Sequence, residues 1–362
     1  MLGQFEIRDL LFSILRRALW NQPFEVSLDA KATRSVLHLA EEQTIFGLVF
    51  EVLSKQDVKI EMQEILDGIA FVQAIRQQNL VKNKVLADFV KTINKQNIDY
   101  LVVKGQTIAC LYPEPYLRMS GDIDYLIREN YSTVKNRIDE IQQVVLPSKI
   151  VKKEVSYQWH NVIFELHTSL IDLYCGKHQH YWDQLIKGNW QDRDIIEIDG
   201  VKVYTLPVTL NAVYLFLHIY SHFSKVGVSL RQLCDWGVFL HYYDKRIDRE
   251  KVQEILRELG LKELFCAFGT ILVGKLGLPE YSFPIQIDDS HREWTEKILS
   301  DIFRGGNFGR MKHKSKISWL FKMESICFAI RNSFRYYRLA PSEMRMMIPK
   351  MVSINLRVLT KI

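Results

Sequence analysis

The chain has 362 residues, of which 48% are hydrophobic and 25% charged, with a formal net charge of +6. This composition is ordinary for a soluble globular protein of two or three domains. The N-terminus lacks the basic start and apolar core of a secretory signal, and no apolar run approaches the length of a membrane span.

The five cysteines are scattered, odd in number and without a Cys-x-x-Cys pair. This pattern argues against a disulfide framework and against a zinc knuckle, and it favours a reducing cytoplasm. Each cysteine is expected to serve as a small buried hydrophobic residue. They are Cys110, Cys175, Cys234, Cys266 and Cys327.

Residues 1–79 are predicted to form an N-terminal helical segment, because apolar residues recur at spacings of three and four. Leu10, Ile14 and Leu15 illustrate the pattern. Turn signals at Ser27-Leu28-Asp29 and at Asp67-Gly68 are predicted to separate helices. A longer amphipathic helix is predicted to follow from Asn79 to Gln96.

Residues 80–206 are predicted to form a small α/β core, because short apolar runs here alternate with helical patterns. Helices are predicted at Gln106–Leu111 and Ser132–Val144. The Asp199-Gly200 pair predicts a hairpin turn inside the last strand segment. The strand candidates are Tyr100–Val103, Asp122–Ile127, Val151–Gln158, Asn161–His167 and Ile195–Tyr204.

Residues 207–362 are predicted to form a C-terminal helical domain with a basic tail. The sequence therefore predicts an α+β fold, in which a small mixed-sheet core is flanked by N-terminal helices and a C-terminal all-helical domain. A glycine-rich break is predicted at Gly305–Gly309. The predicted helices are Thr209–Phe223, Leu230–Tyr243, Arg249–Leu259, Glu263–Leu276 and Arg292–Phe303.

Two carboxylates lie two residues apart in the predicted strand at Asp122–Ile127. Side chains alternate along a strand, so Asp122 and Asp124 point to the same face. Two anions held this close favour a cation between them, and hard oxygen ligands suit Mg²⁺ or Mn²⁺. The pattern predicts a metal site for handling phosphates, and the alternative is a solvated edge strand.

These aspartates belong to a longer pattern of Lys-Gly, a Tyr-Pro-x-Pro turn, an arginine and the two aspartates. It resembles the nucleotidyltransferase superfamily that includes polymerase β and the kanamycin and streptomycin nucleotidyltransferases. It is most similar to an uncharacterised bacterial branch often encoded near polysaccharide-synthesis genes, and it also resembles antitoxin-associated nucleotidyltransferases. The matching residues are Lys104-Gly105, Tyr112-Pro113-Glu114-Pro115, Arg118 and Asp122-Ile123-Asp124-Tyr125-Leu126.

The resemblance implies a third carboxylate on a later strand. The Glu165-Leu166-His167 sequence is similar to the family's, and Glu165 and His167 would share one strand face. Glu154 and Asp172 are the alternatives for this third acid. The implied catalytic and metal-binding residues are thus Asp122, Asp124 and Glu165, with Mg²⁺ or Mn²⁺ as the cofactor.

The resemblance also implies a nucleotide site around the same strand. Its residues would be Lys104, Gly105, Gln106, Arg118 and Gly121, with the two basic side chains steadying the triphosphate. The alternative is that both basic residues are surface charges. The chain departs from the superfamily at Gln106, where a serine usually contacts a phosphate.

The implied reaction is transfer of a nucleoside monophosphate from an NTP such as ATP to a hydroxyl group, with release of pyrophosphate. The acceptor would be a small molecule, a sugar or a protein. Two alternatives stay open: a catalytically inactive nucleotide-binding or regulatory protein of the same fold, and a toxin-like enzyme acting on nucleic acid.

Polar residues of the helical region are candidates for the acceptor side of the cleft, together with His167. His218 and His222 have a spacing that can bind zinc, but a polar contact is the favoured interpretation. Arg231 and Asp235 are either an ion pair or a contact to the nucleotide.

The C-terminal stretch from Arg310 is strongly basic and rich in aromatic residues. Lys312, Lys314 and Lys316 precede an apolar segment, and Arg331, Arg335 and Arg338 recur at helical spacing. Such a segment can contact an anionic membrane surface or a nucleic acid. The favoured interpretation is a packed helix with its arginines in solvent.

Overall fold

The computed structural model describes residues 3–141, 148–151, 154–225, 227–305, 327 and 330–359. Within these residues the chain forms two compact units. The first comprises Met1–His38, Ile45–Leu170 and Leu185–Asn211, and the second comprises Leu39–Thr44, Ile171–Gln184 and Ala212–Ile362.

Four helices precede the main sheet: α1 (Gln4–Trp20), α2 (Ala30–Glu42), α3 (Phe46–Leu53) and α4 (Met62–Lys95). The predicted break at Asp67-Gly68 is wrong, because α4 runs through it without interruption. Gly68 is there for packing, since a Cβ at this position would lie 2.1 Å from Cε2 of Phe50 on α3. In the sequence this glycine suggests a turn, whereas in the structure it permits two helices to approach closely.

The main sheet has five strands in the order β3-β4-β7-β6-β5. The central pair, β4 and β7, is parallel, whereas β3–β4, β7–β6 and β6–β5 are antiparallel. A separate two-residue parallel pair joins β1 (Ser27–Leu28) to β2 (Asp57–Val58). The predicted α+β class with a small mixed sheet is confirmed. The strands are β3 (Tyr100–Val103), β4 (Ile123–Ile127), β5 (Ser148–Val151), β6 (Glu154–Trp159) and β7 (Val162–His167).

One face of this sheet packs against α4 through aromatic rings. The Phe89 ring centroid lies 4.6 Å from that of Phe164 on β7 and 5.0 Å from that of Tyr125 on β4. All three side chains are at most 1% exposed, and full burial of one such ring contributes roughly 2–3 kcal/mol. Strand alternation then forces the residues between these anchors to the opposite face.

Two short helices follow strands of the sheet, α5 (Gln106–Ala109) and α6 (Tyr131–Ile141). The predicted C-terminal part of α6, beyond Ile141, lies outside the described residues. The predicted hairpin is confirmed as β8 (Asp194–Ile198) and β9 (Val201–Thr205). Its turn residues both have positive φ, 51° at Asp199 and 73° at Gly200, as a two-residue hairpin turn requires.

One helix, α7 (Gly176–Gly188), falls where the sequence predicted no element. It is short of apolar residues and is bounded by glycines, so it has no clear helical periodicity. The helices predicted beyond Pro207 are present with shifts of a few residues, except that the one expected from Arg292 begins at Thr295. They are α8 (Val208–Lys225), α9 (Leu230–Tyr242), α10 (Arg249–Glu258), α11 (Lys262–Gly274) and α13 (Thr295–Gly305). Two further helices were not predicted, α12 (Asp289–Arg292) and α14 (Pro341–Leu359).

The second unit has an aromatic core built on α8, α9 and α11. The Trp236 ring centroid lies 5.5 Å from that of Phe216 and 4.9 Å from that of Phe265. No helix in the described part of the chain combines the length and apolar character needed to cross a membrane. The basic residues Lys312, Lys314 and Lys316, and the predicted break after Gly305, lie outside the described residues.

All five cysteines are free thiols. Cys234 and Cys266 are buried as expected, and burial raises the pKa of Cys266 to about 12. The expectation is wrong for Cys327, which is exposed, and Cys110 and Cys175 are only partly buried.

Candidate active site

Asp124 and Glu165 are direct neighbours on the face of the sheet opposite to the one that packs against α4. They are register partners in the parallel pairing of β4 with β7, and Leu126 pairs with His167 two residues further on. The alternating burial of β7 confirms the geometry, because Val162, Phe164 and Leu166 are buried and the residues between them are not. Parallel pairing therefore brings Glu165 and His167 to the same face as Asp124.

The ligand atoms of these three side chains lie within 4.8 Å of one another. His167 Nε2 is 2.6 Å from Asp124 Oδ1 and 3.9 Å from Glu165 Oε2. Asp124 is only 1% exposed at its side chain, whereas Glu165 and His167 are 21% and 14% exposed. The group is therefore reached from solvent through Glu165 and His167, with Asp124 at its base.

Lys104 supplies the positive charge that balances Asp124. Its Nζ lies 2.8 Å from the same Asp124 oxygen that contacts His167. Burial by itself would raise the pKa of Asp124, but the Lys104 charge and the His167 hydrogen bond outweigh it and lower the pKa to about 2. Asp124 is therefore an anion at neutral pH despite its burial.

The other oxygen of Asp124 meets the condition expected of a metal ligand. Asp124 Oδ2 is buried and has no hydrogen-bond partner among the described residues. A buried acceptor of this kind is normally satisfied by an ordered water or an ion. Two carboxylates and an imidazole form a donor set that fits Mg²⁺ or Mn²⁺, since oxygen predominates in it.

Asp122 lies immediately before β4 and two residues before Asp124. Because side chains alternate along an extended chain, Asp122 is expected on the same face as Asp124. It is partly exposed and is not one of the three residues in the 4.8 Å group. In the described part of the chain no hydrogen bond or ion pair engages its carboxylate. The side chain is thus available beside the group but does not join it directly.

A backbone turn places Lys104 beside Asp124. Lys104 has φ of 48° and Gly105 has φ of 54°, so two successive residues leave the usual right-handed region at the end of β3. Gly105 also has ψ of −121°, a combination that is essentially restricted to glycine. A Cβ there would lie 3.5 Å from the Asp122 carbonyl oxygen, an ordinary contact distance, so the backbone conformation and not the available space requires glycine.

Helix α4 holds the segment that leads into β4 through buried polar side chains. Lys82 is 7% exposed and donates to Ser120 Oγ at 2.9 Å and to the Gly121 carbonyl. Asn79 is 1% exposed and donates to the carbonyls of Tyr116 and Arg118 at 3.0 and 2.9 Å. These contacts determine where the chain enters β4, and so where Asp122 lies.

The sequence prediction missed Lys82 and Asn79. The sequence contained a signal for these two residues, because the polar residues at positions 79, 82 and 83 share the helix face that continues into the buried Leu86 and Phe89. Polar side chains on the core side of an amphipathic helix require buried partners.

Three predicted nucleotide-binding residues face this support network. The Gln106 side chain is 4% exposed and donates to Asn83 Oδ1 at 2.5 Å. Arg118 is also 4% exposed, and its carbonyl is held by α4. Gly121 is exposed, with no atom within 4 Å of a Cβ built on it. Their contacts to a nucleotide stay predictions.

A family model described as an uncharacterised nucleotidyltransferase matches residues 29–276, which is more than half of the chain. The chain belongs to this family of uncharacterised nucleotidyltransferases. The matched range includes Lys104, Asp122, Asp124, Glu165 and His167.

A solved structure of an antigenic nucleotidyltransferase-like protein from Paracoccidioides brasiliensis is similar at 16% identity. The match covers 54% of this chain and 92% of that chain, with a TM-score of 0.32, a similarity too low to bear on the site. The comparison with curated proteins found no match.

The two alternative third carboxylates of this nucleotidyltransferase have different positions. Glu154 on β6 is the register partner of His167. Asp172 lies in the second unit, where Lys350 Nζ and Lys225 Nζ approach its carboxylate at 2.9 and 3.4 Å. Glu165 belongs to the group of ligand atoms around Asp124, and Asp172 does not.

The other predicted acceptor residues of the nucleotidyltransferase lie in the second unit. His218 and His222 on α8 have ring centroids 4.4 Å apart, and no third ligand joins them among the residues described. Arg231 and Asp235 lie on α9, where Asp235 is 5% exposed. A role of His222, Arg231 or Asp235 in acceptor binding stays a prediction.

Proposed function

We propose that this nucleotidyltransferase moves a nucleoside monophosphate from an NTP to a hydroxyl of a small-molecule, sugar or protein acceptor, releasing pyrophosphate. The observation that carries the proposal is the convergence of Asp124, Glu165 and His167 on one face of the sheet. Family membership supports nucleotidyl transfer in general, and the convergence supports this group of residues as its location.

Asp124 and Glu165 would hold Mg²⁺ or Mn²⁺, with Asp122 joining from the start of β4. The ion, when bound, would neutralise the triphosphate and lower the pKa of the acceptor hydroxyl. Glu165 is the most exposed of the three clustered residues, so its carboxylate would accept the proton of the acceptor hydroxyl. His167 would hold Asp124 in place through the 2.6 Å hydrogen bond.

Lys104 would bind the triphosphate. Its side chain is 19% exposed and stands at the edge of the group, so its ammonium can exchange the Asp124 carboxylate for a phosphate oxygen. Arg118 is proposed as the second phosphate contact on the basis of its place in the motif. A bacterial origin and a cytoplasmic location stay predictions.

The test is Mg²⁺-dependent NTP turnover by the purified chain, measured as pyrophosphate release with each labelled NTP against a cell lysate as acceptor source. Asp124→Asn and Asp122→Asn should each reduce turnover by at least about 100-fold without unfolding the protein. The matched control is Asp88→Asn on α4, whose carboxylate is 49% exposed and pairs with Lys91. Unchanged turnover in the Asp124 variant would rule out this assignment.

A nucleotide-binding protein without catalysis is the second candidate, and the position of Gln106 favours it. Where the superfamily has a serine for phosphate contact, this side chain is buried and bonded to α4. Calorimetry with NTP and Mg²⁺ separates the two: binding without pyrophosphate release identifies the inactive protein. Binding of RNA with steep salt dependence would instead indicate a nucleic-acid acceptor.

A further inference from the structure

A second group of metal-ligand side chains lies in the second unit. Cys175 directly precedes α7, His178 is in the first turn of that helix, and Glu343 is in the first turn of α14. Their sulfur, nitrogen and oxygen ligand atoms all lie within 4.8 Å of one another. Glu343 is fully buried and His178 is 7% exposed, whereas Cys175 is partly exposed.

The local structure directs these three side chains to one point. Cys175 and His178 are three residues apart, so they share one face at the start of α7. His178 Nδ1 lies 2.8 Å from Glu343 Oε1, although the two residues are 165 positions apart in the sequence. These two atoms share a hydrogen bond, and both are good ligands for a divalent metal ion.

The carboxylate of Glu343 is fixed by further donors. The backbone N–H groups of Tyr174 and Cys175 donate to its two oxygens at 2.7 and 3.1 Å. The Tyr220 hydroxyl donates to Oε2 at 3.1 Å. Such hydrogen bonds to a carboxylate are typical of the surroundings of a metal ligand.

The charge of the group also fits a divalent ion. In the described part of the chain no lysine or arginine lies within 4.0 Å of the Glu343 carboxylate, and its ion-pair partner there is His178. A buried carboxylate needs hydrogen bonds or a paired charge, and a bound cation would add the paired charge. Metal ions bind cysteine as the thiolate and histidine as the neutral imidazole, so the three ligands in the bound state would carry two negative charges, which a divalent cation would balance.

The mixture of ligand types identifies the metal. Thiolate, imidazole and carboxylate together suit Zn²⁺, whereas Mg²⁺ and Ca²⁺ select oxygen ligands. We propose that Cys175, His178 and Glu343 form a zinc site that joins the start of α7 to the start of α14. The fourth ligand position of the ion would be occupied by water on the partly exposed side at Cys175.

The test uses the full chain, freed of metal with a chelator, carrying Asp124→Asn to disable the other candidate metal group. Titration with Zn²⁺ against a chromophoric chelator should show one tight site per chain. Cys175→Ser should weaken it on the order of 100-fold or more. The matched control, Cys110→Ser, replaces another partly buried thiol and should leave the affinity unchanged.

Cobalt provides a second measurement that needs no substitution in the site. Co²⁺ added to the metal-free protein should give a thiolate-to-cobalt absorption band, and Zn²⁺ should remove the band. Absence of stoichiometric Zn²⁺ binding would overturn the proposal, as would Zn²⁺ binding unaffected by Cys175→Ser. Because these measurements do not involve NTP turnover, their failure is separate from a failure of the proposed function.

Discussion

Replacement of Lys104 by methionine tests whether the buried charge of Asp124 depends on its ion pair. Methionine has an unbranched side chain like that of lysine, and the cost of the left-handed backbone at φ of 48° is similar for both residues. The substitution therefore removes mainly the charge. Lys104 and His167 lower the pKa of Asp124 from 3.8 to about 2 against the effect of burial. A shift of this size corresponds to about 2.5 kcal/mol of stability.

The variant should therefore lose about 2–4 kcal/mol of unfolding free energy at pH 7, since breaking a buried pair leaves an uncompensated charge. The pKa of Asp124 is depressed in the folded state. Its stabilising contribution is thus complete above pH 3.8 and is lost as the pH falls towards about 2. The difference between wild type and variant should persist at neutral pH and narrow below pH 4.

The assay is urea unfolding followed by circular dichroism in metal-free buffer. The matched control is Lys91→Met, because Lys91 forms an exposed 3.5 Å pair with Asp88 and should contribute no more than about 0.5 kcal/mol. Added Mg²⁺ should stabilise the Lys104 variant more than the wild type, since the ion would neutralise the same carboxylate. A loss no larger than that of the control would refute the reasoning.

Two further substitutions test the support provided by α4. Lys82→Met should reduce NTP turnover at least about 10-fold by releasing the Ser120-Gly121 segment, whereas Lys84→Met on the exposed face of the same helix should not. Far-ultraviolet circular dichroism should show both variants folded, and equal turnover would contradict the positioning role. Gly68→Ala should destabilise by about 1–3 kcal/mol in urea unfolding, although alanine favours helix, because its Cβ would overlap the Phe50 ring. Gly188→Ala, with open space around its Cβ, should cause no such loss, and a stabilised Gly68 variant would show that α3 and α4 can separate at little cost.

Much of the site followed from short-range signals. The spacing of Asp122 and Asp124, the Lys104-Gly105 pair and the Glu165-to-His167 sequence are all local, and strand alternation is enough to assign their faces. The Asp199-Gly200 hairpin is equally local, because its positive φ values are preferences of those two residue types.

The tertiary structure decided which of these local groups meet. Pairing of β4 with β7 in another register would have placed a different residue of β7 beside Asp124, and a slip of one residue would have turned Glu165 into the core. The actual register depends on how Phe89, Tyr125 and Phe164 pack, and no local pattern encodes this. The sequence alone therefore could name Glu165 only by resemblance.

The partners in contacts between distant segments were not encoded locally. The place of Lys82 on the apolar face of α4 predicts a buried partner, but only folding identifies the Gly121 carbonyl as that partner. Cys175 and Glu343 each look unremarkable alone, but the fold brings both to His178. Local propensities specify helices, strands and turns, whereas the meeting of side chains from separate elements depends on packing of the complete chain.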